Sequence, residues 1–131
     1  MKSRDALIRL KRFQVEERRR RVAQIETMIA EFTRMATELD REIAAEETRA
    51  GISDPAHFAY PTYARAARTR RDNLKQSIGN FHGQLAEAKG FHEIAVEELG
   101  KVQSLDGREK AADVTRERPE MEMHGMRLAR A

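Results

Sequence analysis

Arginine and histidine are the residues here with chemistry to offer, and their spacing decides what kind of site the chain can hold. Arg18, Arg19, Arg20 and Arg21 form the densest charge in the sequence. On a helix, four consecutive residues spread round the whole circumference, so they make no single stripe. Glu16 and Glu17 stand beside them, and one reading is a solvated face with local ion pairs. The other is a basic end that meets an acidic partner, nucleic acid or anionic lipid. Nucleic-acid binding normally brings interleaved aromatics or a recognisable module; neither is here, and no nucleic-acid partner is expected. The four histidines, His57, His82, His92 and His124, are too dispersed for an HxxxH pair, and there is no cysteine. No metal site follows from them. The sequence holds no Gly-rich phosphate loop, nucleophile elbow or Ser/His/Asp constellation. No catalytic residue, cofactor-binding residue, cofactor or enzymatic activity is expected.

What positions these residues is a stretch from Ser3 to Ala50 without glycine or proline. Ile8, Val15, Val22, Ile29, Ala36, Ile43 and Ala50 recur at intervals of seven, with Ile25, Phe32 and Leu39 three residues after the middle members. This a/d seam predicts a coiled-coil helix over about 3–50, roughly 70 Å long at 1.5 Å per residue. Ser3 is a candidate cap and Asp5 suits the first turn. Gly51 supplies the stop. Asp54-Pro55 reads as a cap and first helical position, whereas Tyr60-Pro61 disfavours helix at Tyr60. The second helix therefore begins at either Pro55 or Pro61, after a turn of about 51–60.

From Pro61 the seam resumes. Ala64, Ile78, Leu85 and Leu99 take one series, and Ala67, Leu74, Phe81, Ala88, Ala95 and Val102 the other. The second helix thus covers about 61–105. Lys11, Arg18, Glu46, Arg71 and His92 fall on core positions, where polar residues fix register at a cost in stability. His92 reads as a partly buried polar core residue near Arg18. Gly79, Gly83, Gly90 and Gly100 fall on the outer face, each costing about 1 kcal/mol against alanine. Residues 106–131 lose the heptad, contain Gly107 and Pro119, and gather Met121, Met123 and Met126. They read as a C-terminal extension, partly helical or disordered.

Charge selects the pairing. Residues 1–25 hold nine Lys/Arg against three Asp/Glu, and residues 26–50 three against seven. Residues 51–75 hold five against two, and residues 76–105 two against four. Folding back at the turn sets basic 1–25 against acidic 76–105, and acidic 26–50 against basic 51–75. Parallel alignment of two chains would set like against like. Each exposed pair is worth only about 0.2–1 kcal/mol, but the sign pattern acts on register and orientation together. The fold class is therefore all-α, two long helices in an antiparallel coiled-coil hairpin. In this register Phe32 meets the region of Ile78, and Ile25 that of Leu85. Two apolar sets are left over from the seam. Leu7, Leu10 and Phe13 lie where Lys11 and Arg18 spoil the internal core, which suggests an interaction surface. Phe58, Tyr60 and Tyr63 lie at the turn, either as a plug closing the hairpin or as a partner contact.

With 131 residues, 36% charged and 5% aromatic, the chain cannot build a thick globular core. Met1–Phe13 is basic but leads to no apolar run, so a secretory signal is not expected. Nothing approaches eighteen consecutive apolar residues, and a soluble, cytoplasmic protein is expected.

The segment Met1-Lys2-Ser3-Arg4-Asp5-Ala6-Leu7-Ile8-Arg9-Leu10-Lys11-Arg12-Phe13 resembles the start of the FliJ-type flagellar export protein as found in alphaproteobacteria. So does Ala50-Gly51-Ile52-Ser53-Asp54-Pro55, with His57-Phe58-Ala59-Tyr60-Pro61 after it. The resemblance covers about residues 1–105, and the turn segment is its more specific part. It implies a non-enzymatic component of the flagellar type III export apparatus, similar in fold to the central stalk of rotary ATPases. The terminal end of such a hairpin would insert into the export ATPase ring and promote its assembly. Its body would engage the export gate protein and export chaperones, at the inner membrane beneath the flagellum. Arg9, Arg12 and Arg18 to Arg21 would be the residues entering the ring. Two other classes stay open on the residues alone: a basic adaptor binding nucleic acid or a membrane surface, and a self-assembling structural coiled coil.

Overall fold

A computed structural model describes residues 2–130, with side chains described for residues 3–115. It contains two helices, α1 (Lys2–Ala50) and α2 (Thr62–Arg130), and no strand among the described residues. They pack antiparallel as a helical hairpin, as the charge blocks require. The chain divides into two compact units, one of Arg18–Phe91 and one of Met1–Glu17 with His92–Ala131. We call these the turn unit and the terminal unit.

In the turn unit the heptad positions are the ones that leave water. Ile25, Ala36, Leu39, Ile43, Ala64, Ala67 and Ala88 are buried, and Val22, Ile29, Phe32, Leu74, Ile78, Phe81 and Leu85 half-buried. Leu39, Ile43 and Ala67 form one cluster, with Leu74 against it. Ala50, the last member of the first series, is exposed instead; it is the final residue of α1, beyond the reach of the partner helix. Phe32 meets Phe81 edge-on at 5.2 Å between ring centroids, one helical turn further along α2 than Ile78. Side chains on a helix lean toward its own N-terminus. In an antiparallel pair both rings lean toward lower numbers, which moves the contact on.

Two of the polar residues at seam positions form ion pairs with the other helix, whereas Glu46 pairs with Arg49 within α1. Arg71 Nη1 pairs with Asp40 Oδ1 at 3.1 Å, and in the terminal unit Lys11 Nζ pairs with Glu98 Oε2 at 3.0 Å. Arg4 pairs with Glu109, and the guanidinium's hydrogen bond holds the Glu109 carboxyl below its ordinary range. Ile8 and Ala95 are the buried apolar residues of the terminal unit, among those described. Its seam therefore depends more on ion pairs than that of the turn unit. His92 is half-buried there. Arg18 departs from expectation, being exposed: its long side chain leaves the seam and lies over the Phe91 ring, 5.1 Å from the centroid.

Both helix boundaries near the turn have a clear physical cause. Gly51 takes φ 69°, its N–H donates to the Thr48 carbonyl at 3.3 Å, and Ile52 N–H donates to the Glu47 carbonyl at 3.2 Å. This pair of bonds is the Schellman end, which needs a left-handed residue. Of the two candidate starts for the second helix, the chain uses the later. The Pro61 carbonyl accepts the first helical bond, from Arg65 N–H at 3.0 Å. At the other end of α1, Ser3 is not a cap but lies inside the helix. Nor does α2 stop near Leu105: it runs on to Arg130. Ala111 and Ala112 are strong helix formers, and Lys110 pairs with Asp106 one turn back at 3.1 Å, so helix persists without the heptad. The expectations at Pro119, His124, Met121, Met123 and Met126 lie outside the residues with described side chains.

Candidate interaction site

Two surfaces gather the residues singled out from the sequence. The first lies on α1 in the terminal unit. With 100° per residue, Ile8, Lys11 and Val15 point toward α2, and Leu7, Leu10 and Phe13 turn progressively away from it. Their exposures follow that rotation, at 40%, 50% and 56%. Arg9 and Arg12 are exposed on the same helix and make no ion pair among the described residues. Apolar and basic side chains therefore alternate over two turns of helix. All five of these side chains stay exposed.

The four consecutive arginines fall in the turn unit, and all are exposed. They do not act as one patch. Arg18 is spent on Phe91, and Arg19 also has a partner of its own. Arg21 joins Arg18 beside a surface depression floored by Ile25 and Ala88. Arg20 projects outward, as four successive helical residues must.

The second surface is the turn. Asp54 Oδ1 accepts from Ala56 N–H at 3.0 Å, and the Asp54 carbonyl accepts from His57 N–H at 3.0 Å. The His57 carbonyl accepts from Tyr60 N–H at 3.0 Å, and His57 Nδ1 from Ala59 N–H at 3.0 Å. Two tight turns thus follow one another between the helices. They place the three aromatic residues in three different situations. Tyr60 is the plug, 4% exposed, with its hydroxyl donating to Glu47 Oε1 at 2.7 Å. Arg68 reaches the same carboxylate at 3.5 Å. Tyr63 is exposed, but its hydroxyl donates to Glu42 Oε2 at 2.7 Å. Phe58 is 92% exposed, with its ring stacked on that of His57 at 4.8 Å and 22°. The acceptors Glu42 and Glu47 were not singled out from the sequence. Their signal was their place in the last turns of the first helix, on the side that the returning chain must cross.

Both phenols titrate above their ordinary value. For Tyr60 burial is the main cause and the hydrogen bond to Glu47 the second; for Tyr63 the hydrogen bond to Glu42 leads. The fold therefore prefers the protonated phenol. That contribution is fully present below the unfolded value of about 10, and is lost as pH rises through the higher folded values. The expected result is a urea midpoint that falls above about pH 10, and falls less in the Tyr60→Phe/Tyr63→Phe double variant. Equal alkaline losses in both proteins would remove the two tyrosines as the cause.

No helix among the described residues is long and apolar enough to cross a membrane. In comparisons with known proteins, the chain matches no family model, no curated protein and no solved structure.

Proposed function

We propose that this chain is a non-enzymatic component of the flagellar type III export apparatus: a coiled-coil stalk of the FliJ type that promotes assembly and activity of the export ATPase. The observation that carries the reading is the alternating apolar and basic surface of α1, Leu7, Arg9, Leu10, Arg12 and Phe13. It lies on a hairpin whose terminal unit leaves all five side chains exposed. Such a surface suits insertion into a ring that offers both apolar and acidic groups. The resemblance of residues 1–13 and 50–61 to FliJ-type proteins supports the same choice, and adds the export gate and export chaperones as further partners. In this reading the protein works at the cytoplasmic face of the inner membrane and is needed for motility. The dispersal of Arg18 to Arg21 round the helix weighs against a nucleic-acid or lipid adaptor.

The test uses the export ATPase of the same organism with the purified full chain. The chain should raise ATP hydrolysis and ring assembly while hydrolysing no ATP itself. Leu10→Glu/Phe13→Glu should reduce its apparent affinity for the ATPase on the order of 30-fold, as removal of an interface anchor does. The helical content of that variant should be unchanged, because both positions are exposed. Deletion of the gene should abolish swimming. An ATPase indifferent to the chain, together with salt-sensitive binding to unrelated DNA or acidic vesicles, would replace this reading with the adaptor.

A further inference from the structure

Phe58 is the large apolar side chain that folding leaves most exposed among those described, at 92%. The turn does not need it for closure, because Tyr60, two residues on, fills that role. Its backbone is nevertheless held from both sides. The Asp54 side chain and carbonyl fix the approach, and His57 caps Ala59 and Tyr60 beyond it. A ring so exposed on so determined a loop has paid its ordering cost before any partner arrives. His57 adds a second element. Its Nδ1 accepts from Ala59 N–H, so the neutral ring carries its proton on Nε2. The imidazole stacked on Phe58 thus offers one directed donor beside an apolar face.

We infer that the turn is a preformed aromatic anchor, the Phe58 ring with the His57 Nε2–H beside it, for an apolar pocket on another folded protein with a hydrogen-bond acceptor at its rim. Charge selects this occupant. From Glu47 to Arg65 the turn carries Glu47 and Asp54 against Arg49 and Arg65, a balance of zero. A neutral tip has no attraction for nucleic acid or anionic lipid, and one aromatic ring is too little to hold a protein on a bilayer. A rigid aromatic entering a pocket is the usual energetic centre of a protein–protein interface. The inference does not rest on the proposed export function. Its side chains are not those assigned to the ATPase contact, and an ATPase indifferent to the chain would leave it standing.

The test places a photoreactive amino acid at Ala56, exposed beside the anchor, in the full chain expressed in its own host. Adducts are mapped to the residue by mass spectrometry. The expected result is one main adduct, on a residue lining an apolar pocket of another protein, that disappears in Phe58→Ser. With that protein purified, Phe58→Ser should weaken binding on the order of 30-fold. His57→Asn keeps an acceptor for Ala59 N–H but loses the Nε2–H donor, and should weaken binding roughly fivefold. Melting of Phe58→Ser should match the parent, since the side chain is 92% exposed. Flotation with phosphatidylcholine vesicles, with and without phosphatidylglycerol, should recover no chain. The inference is overturned by the absence of any adduct, by an adduct insensitive to Phe58→Ser, by adducts only between copies of this chain, or by Phe58-dependent flotation.

Discussion

Ile25→Ala should destabilise the hairpin by about 2–4 kcal/mol. Ile25 is 1% exposed and is, among the described residues, the largest side chain to be fully buried. The Arg18–Phe91 and Phe32–Phe81 contacts bracket it one heptad to either side. It therefore packs against α2 between residues 81 and 91, where Leu85 and Ala88 supply the facing seam. Half of the buried apolar residues among those described are alanines, so few other side chains can shift to fill the void. Alanine's better helix propensity returns only about 0.4 kcal/mol of the loss. Ile25→Val should cost about 1 kcal/mol, and Met28→Ala, at a position 38% exposed, much less. Urea unfolding followed by circular dichroism would rank the three. Equal effects for Ile25→Ala and Met28→Ala would mean that Ile25 is not at the centre of the seam.

That position was legible in the sequence because a coiled-coil seam is read from spacing alone. Ile25 is three residues after Val22, on the face that every seventh residue marks, and nothing about the partner is needed to place it. The charge blocks then chose the partner, and the Asp40–Arg71 and Lys11–Glu98 pairs are that choice made atom by atom. Arg18 was not legible in the same way. Its heptad position is inward, but a guanidinium on a long stem can leave the seam at little cost when an aromatic ring stands outside it. The turn was legible as a break and illegible as a surface. Proline and glycine fix where the helices end, whereas only coordinates tell the buried Tyr60 from the exposed Phe58 two residues earlier. The end of α2 failed for a different reason. Loss of the heptad removes a packing partner, but helix propensity and local ion pairs such as Asp106–Lys110 carry the backbone on without one.

The largest stabilising change should come from the glycines of α2. At Gly79, Gly83, Gly100 and Gly107 an added Cβ would meet nothing within 4 Å. Among the described residues, the only glycine with positive φ is Gly51. At these four positions neither backbone conformation nor close approach within the chain calls for glycine. Replacing one with alanine in an exposed helix interior is worth about 0.8–1 kcal/mol, partly through a less disordered unfolded chain. The quadruple alanine variant should therefore gain about 3–4 kcal/mol. Gly79→Ala/Gly83→Ala act in the turn unit, and Gly100→Ala/Gly107→Ala in the terminal unit. Amide exchange along α2 should slow in each unit according to the pair it carries. If the parent activates an export ATPase as proposed and the stabilised protein does so less well, the glycines of α2 would belong to the working cycle. If it were equally active, the glycines would be tolerated losses in a hairpin already held by its seam. A quadruple variant no more stable than the parent would mean that these faces of α2 are not free in solution, and that a close neighbour takes the place of the missing side chains.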